Sequence, residues 1–130
     1  MSFLGKLFGN TKLEETKSKI SWSILEHIDQ LDMIIQNSWE KPILIFKHST
    51  RCIISKSALR SFENKFDLED KMTLYYLDLL QYRNISNEIA EVFGITHQSP
   101  QILLIKNGIV IYHESHEGID AEVLKEFIEN

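Results

Sequence analysis

The chain has 130 residues, a formal net charge of -5 and a single cysteine. That length suits one domain with one well-packed core. The acidic balance gives no support to nucleic-acid binding. One cysteine excludes an internal disulfide framework, so a reducing cytoplasmic setting is expected.

The first residues, Met1 to Gly9, read MSFLGKLFG. Gly5 and Lys6 interrupt the run, which is too short for a signal-peptide core. Phe3, Leu4, Leu7 and Phe8 would share one face of a short helix. That face would pack on the domain, stay disordered, or anchor the chain to a membrane or partner. Residues 1-18 are read as an N-terminal extension and residues 19-130 as the domain. No later run reaches the length of a transmembrane segment.

A strand is expected near Lys19 to Trp22, then a helix from Ser23 to Asn37, where Leu25, Ile28, Leu31, Ile34 and Ile35 recur at helical spacing. Pro42 introduces Ile43-Leu44-Ile45-Phe46, a continuous apolar run suited to a strand covered on both faces. From Cys52 to Phe66 the pattern is helical, with Ala58, Leu59, Phe62 and Phe66 as its stripe. Met72 to Leu79 reads as a second strand, and its Tyr75 and Tyr76 rings point to opposite faces. Asn87 to Phe93 forms a short helix stopped by Gly94. Gln101 to Ile105 and Ile109 to Tyr112 flank Asn107-Gly108, the strongest short hairpin signal. Asp120 to Ile128 closes the chain as a helix, with Asp120 as N-cap and Val123, Leu124, Phe127 and Ile128 facing inward. The order predicts an α/β fold with helices on both faces. Its mixed sheet has four to five strands, parallel early and antiparallel at the hairpin.

Cys52 follows a strand and opens a helix, in the stretch HSTRCIIS from His48 to Ser55. Unpaired backbone N–H groups and the positive end of the helix dipole favour a thiolate there, and Arg51 adds positive charge. Ser49 or Thr50 would cap the helix. Ser55, one turn on, can offer a hydroxyl to the sulfur but cannot resolve a mixed disulfide as a second thiol would. Any mixed disulfide on Cys52 must be released by an outside thiol. The plain alternative is a buried apolar cysteine among Ile53 and Ile54.

These pieces in order resemble the YtxJ family, the monothiol bacilliredoxins of the thioredoxin-like superfamily. The resemblance rests on KHSTRCIISKSAL, SPQILLIKNG and SHEGI and covers roughly residues 20 to 130. It implies a thioredoxin-like fold, Cys52 as the reactive cysteine, and Ser55 in the place of the absent resolving cysteine. It also implies that Pro100 is the cis-proline facing the cysteine, and that Ser99 offers backbone groups to a bound thiol or peptide. Thr50 and Arg51 would flank the substrate. Two features depart from the pattern. Ile53 stands where many members have proline or a small residue, and Phe46 stands where dithiol thioredoxins carry a buried acid.

Other residues carry both a chemical and a structural reading. His48, four residues before Cys52, would move a proton or simply edge the loop. His97 would border the thiol pocket or face solvent. His113 and His116 lack companion ligands, so no metal site is expected. Trp22 and Trp39 read as core or edge packing.

The resemblance implies a monothiol thiol–disulfide oxidoreductase acting on S-thiolated client proteins. Bacillithiol would be the small-molecule thiol co-substrate, with no other cofactor. Two alternatives stand beside it. One is a non-catalytic thioredoxin-like binding module whose cysteine senses oxidation. The other is a glutaredoxin-like protein holding an iron–sulfur cluster, for which the glycine-containing loop is missing.

Overall fold

The computed structural model describes residues 20–128, so the N-terminal extension with Phe3, Leu4, Leu7 and Phe8 lies outside the described residues. In chain order the elements are β1 (Ser23–Ile24), α1 (Gln30–Asn37), β2 (Ile43–His48), α2 (Ile53–Lys65), β3 (Thr73–Asp78), α3 (Arg83–Phe93), β4 (Gln101–Lys106) and β5 (Ile109–Ser115). Two 3-10 segments follow, His116–Gly118 and Ala121–Phe127. The five strands form one sheet in the order β1-β3-β2-β4-β5. β1, β3 and β2 run parallel, whereas β4 is antiparallel to β2 and β5 to β4.

β2 lies at the centre, and all six of its residues are buried. Its side chains alternate between two cores. Leu44 and Phe46 join Phe62 of α2, Phe66 just past its end, and Leu124 of the last segment. Ile43 and Ile45 join Ile34 of α1 and Ile85 and Ile89 of α3. Burial on both faces explains why this strand reads as an unbroken apolar run. Trp22 is half-buried in an aromatic group with Phe46, Phe62 and Tyr76. Its indole N–H donates to Glu63 Oε2 at 2.7 Å. Tyr75 packs on the opposite core, so the two tyrosines do face opposite ways.

The expected helix over Ser23 to Asn37 is only partly formed. Ser23–Ile24 is a strand paired with Tyr75–Tyr76, and α1 starts at Gln30. Backbone pairing to β3 outcompetes the helical periodicity, and Gln30 holds the junction open. Its Oε1 accepts from the N–H groups of Glu26 and His27, both at 2.8 Å, and its Nε2 donates to the Ile24 carbonyl. The strand expected near Lys19 to Trp22 is therefore displaced to Ser23–Ile24; Lys19 lies outside the described residues. α3 begins at Arg83, one turn earlier than the Asn87 expected. The final segment is 3-10 rather than α-helix, although Asp120 caps it by accepting from the Glu122 N–H at 3.0 Å.

Gly94 ends α3 in the left-handed region at φ 67. At the hairpin Asn107 and Gly108 both take positive φ, 55 and 82, as a tight two-residue turn between twisted strands requires. Trp39 is 66% exposed rather than part of a core, and its indole lies over Gly108.

Candidate functional site

Cys52 is the N-cap residue of α2, with extended backbone at φ -106 and ψ 124, and it is partly exposed. A tight turn delivers it from β2: the Cys52 N–H donates to the Ser49 carbonyl at 3.2 Å. The Cys52 carbonyl in turn accepts the Lys56 N–H at 3.0 Å, opening the helix. No side chain caps this helix start, so neither Ser49 nor Thr50 plays that part. Thr50 and Arg51 are exposed beside the cysteine.

Ser55 is fully buried, and its hydroxyl is engaged away from the sulfur. It accepts from the Ser49 N–H at 3.0 Å and lies 2.7 Å from His48 Nδ1. With neutral His48 carrying its proton on Nε2, the Ser55 hydroxyl donates to Nδ1. His48 is 4% exposed, at the end of β2 rather than on the loop edge. It packs between Phe46 and Tyr76. Burial pushes its pKa below the usual 6.5, and Lys56 pushes the same way, while Asp78 and Glu63 pull it up. The imidazole therefore stays uncharged at neutral pH and braces the turn that presents Cys52.

Phe46 stands where the resemblance implies that dithiol thioredoxins carry an acid. It is fully buried, 5.4 Å from the Phe62 ring in an edge-on contact. No ionisable group stands at that point of the strand.

The start of β4 carries the segment that the resemblance sets opposite Cys52. The Ser99-Pro100 peptide bond is cis, and Pro100 is buried. The Pro100 carbonyl accepts the His116 N–H at 3.0 Å. The β2–β4 register pairs Phe46 with Ile102 and Lys47 with Gln101; continued by one step, it sets Pro100 level with His48. Ser99 Oγ is buried with no hydrogen-bond partner among the described residues. A groove of about 430 Å³ runs between α2, from Ile53 to Ser61, and the His116–Gly118 turn that the Pro100 carbonyl holds. Ile53 and Ile54, 81% and 55% exposed, form its lip on the α2 side.

A polar cluster on the other face of β2 was not expected. Lys47 is fully buried, with Nζ 2.7 Å from His97 Nδ1 and 2.9 Å from Gln101 Oε1. Ser86 Oγ of α3 lies 3.2 Å from the same His97 nitrogen. His97 is thus half-buried and tied inward, not facing solvent. Burial, then the charge of Arg83, lowers the Lys47 pKa to about 8. Burial, then Lys47 and Arg83, lowers that of His97. The signal in the sequence is slight: a lysine directly after Ile43-Leu44-Ile45-Phe46, and a glutamine heading Ile102-Leu103-Leu104-Ile105.

Residues 23–124 match the family described as monothiol bacilliredoxin BrxC. A solved structure of thioredoxin fold, provisionally classed as an oxidoreductase, is 36% identical with a TM-score of 0.68. The match covers 79% of this chain and 89% of that one. Thioredoxin from Malassezia sympodialis is 20% identical (TM-score 0.64, 85% and 90% of the two chains). Thioredoxin O2 from Arabidopsis thaliana is 16% identical (TM-score 0.61, 82% and 90%). These last two show the fold alone. The chain therefore belongs to the monothiol bacilliredoxin BrxC family, thiol redox proteins on a thioredoxin fold.

Proposed function

We propose that the protein removes a small thiol, bacillithiol, from mixed disulfides on client proteins in the cytoplasm. The observation that carries the reading is a lone, partly exposed cysteine at the N-cap of α2, with a buried serine three residues on. The Cys52 thiolate attacks the small thiol's sulfur in the client mixed disulfide. A Cys52–small-thiol disulfide forms, the client S–S bond breaks, and the client sulfur leaves as thiolate and takes a proton from water. A second small thiolate then attacks the adduct, releasing the small thiol's symmetric disulfide and restoring Cys52. The two electrons that reduce the client come from the small-thiol pool.

In this reading Ser99, Pro100, Thr50 and Arg51 border the incoming disulfide. Ser55 and His48 hold the turn in place rather than exchange protons with the sulfur. The test is release of free thiol from a bacillithiol-modified client by wild type and by Cys52→Ser. Turnover by wild type alone supports the reading, and equal release by both overturns it. The exposed Ile53–Ile54 lip favours a second reading as a client-binding module. Under that reading Cys52→Ser would retain client affinity, and wild type would show no turnover.

A further inference from the structure

Lys47 is the residue that the fold explains least on packing grounds. It is fully buried in the central strand, where an apolar side chain is the ordinary occupant. A buried ammonium is tolerated only when hydrogen-bond acceptors surround it. The two that receive it are not spread at random. His97 Nδ1, at 2.7 Å, comes from two residues before Ser99. Gln101 Oε1, at 2.9 Å, comes from the residue directly after Pro100. One side chain of β2 therefore grips the Ser99-Pro100 segment at both ends. Gln101 Nε2 donates back to the Thr96 carbonyl at 3.1 Å, and Ser86 Oγ of α3 approaches the same His97 Nδ1 at 3.2 Å. β2 is also the strand that runs on through His48 into the Cys52 turn.

We propose that Lys47 is a positioning residue, locking the Ser99-Pro100 segment to the strand that delivers Cys52 so that the client disulfide meets the sulfur in one register. Lys47 does not touch the reacting atoms. Its effect is on client binding, and that part of the claim rests on the exchange reaction proposed above. The ionisable groups facing it are His97 from the 94–100 connection and Arg83 from α3; Gln101 of β4 and Ser86 of α3 are neutral. Below about pH 8 the ammonium makes charge-assisted bonds, and above it the neutral amine makes weaker ones.

Two measurements on the full chain test this. The first is amide hydrogen exchange across residues 96 to 101 in wild type, Lys47→Met, His97→Phe and His97→Asn, which needs no activity. Exchange about tenfold faster in Lys47→Met and His97→Phe is expected, with the acceptor-bearing His97→Asn near wild type. Equal protection in all four, with the variants folded, overturns the proposal whether or not the protein turns over a client. The partly exposed His97 pair keeps the test decisive if Lys47→Met fails to fold. The second is affinity for a thiolated client in the Cys52→Ser background, with and without Lys47→Met. The Lys47→Met change should weaken binding about tenfold at pH 7 and by less at pH 9. A constant ratio across pH would make Lys47 a general fold support and overturn the positioning role. If wild type transfers nothing, the exchange reading fails alone, and hydrogen exchange still decides the tie.

Discussion

Ser55 Oγ sits 2.7 Å from His48 Nδ1 and 3.0 Å from the Ser49 N–H, so this buried hydroxyl is a brace for the Cys52 turn. Removing it strands the Ser49 N–H and the imidazole together. Ser55→Ala is expected to cost about 1–3 kcal/mol of stability, read from urea unfolding. The rate at which Cys52 is alkylated should change little, because the hydroxyl is not bonded to the sulfur.

The same site invites a gain of chemistry. Positions 52 and 55 stand one helical turn apart, a Cα separation within the reach of a disulfide. Ser55→Cys should acquire an intramolecular disulfide on mild oxidation, seen as a loss of two hydrogens by intact mass. Neutral His48 beside position 55 would accept the proton of the new thiol. Wild type should form only intermolecular or small-thiol adducts.

His48 also sets a pH dependence. Its folded-state pKa lies below the ordinary 6.5 because of burial. The unfolded chain therefore takes up protons first as pH falls. Stability is complete above pH 6.5 and declines as pH drops through 6.5 toward the folded-state value. His97 is shifted in the same direction and contributes with the same sign. Urea midpoints at pH 7.5 and 5.0 should fall further in wild type than in His48→Gln, which cannot protonate.

The apolar lip can be changed without touching the core. Ile53 is 81% exposed, so Ile53→Asp should alter stability by no more than about 0.5 kcal/mol. It should raise the client KM several-fold while leaving Cys52 alkylation near wild type. In contrast Phe62→Ala removes a fully buried ring shared by Phe46, Phe66 and Trp22, and should cost about 3–5 kcal/mol in unfolding free energy.

Much of this was legible from the chain. The Ile43–Phe46 run announces a strand covered on both faces, Gly94 a helix stop, and Asn107-Gly108 a hairpin, because each is local chemistry. Cys52 at a helix start is equally local. Three features were not legible. Ser23–Ile24 carries helical spacing but is captured by β3, a pairing set by residues some fifty positions away. The Lys47–His97–Gln101 tie spans similar separations, and nothing near Lys47 in sequence tells where its acceptors lie. By spacing, the hydroxyl of Ser55 can reach the sulfur; its capture by His48 depends on how far β2 extends before the turn.

The central claim is that one cysteine takes a small thiol from a client and holds it until another thiol arrives. Intact mass spectrometry of reduced protein mixed with a bacillithiol-modified client tests it most directly, with a glutathione-modified client and Cys52→Ser run alongside. The account predicts a bacillithiol adduct on Cys52, the client returned to its free thiol, and no transfer to Cys52→Ser. An unmodified Cys52 with both clients still thiolated would contradict it.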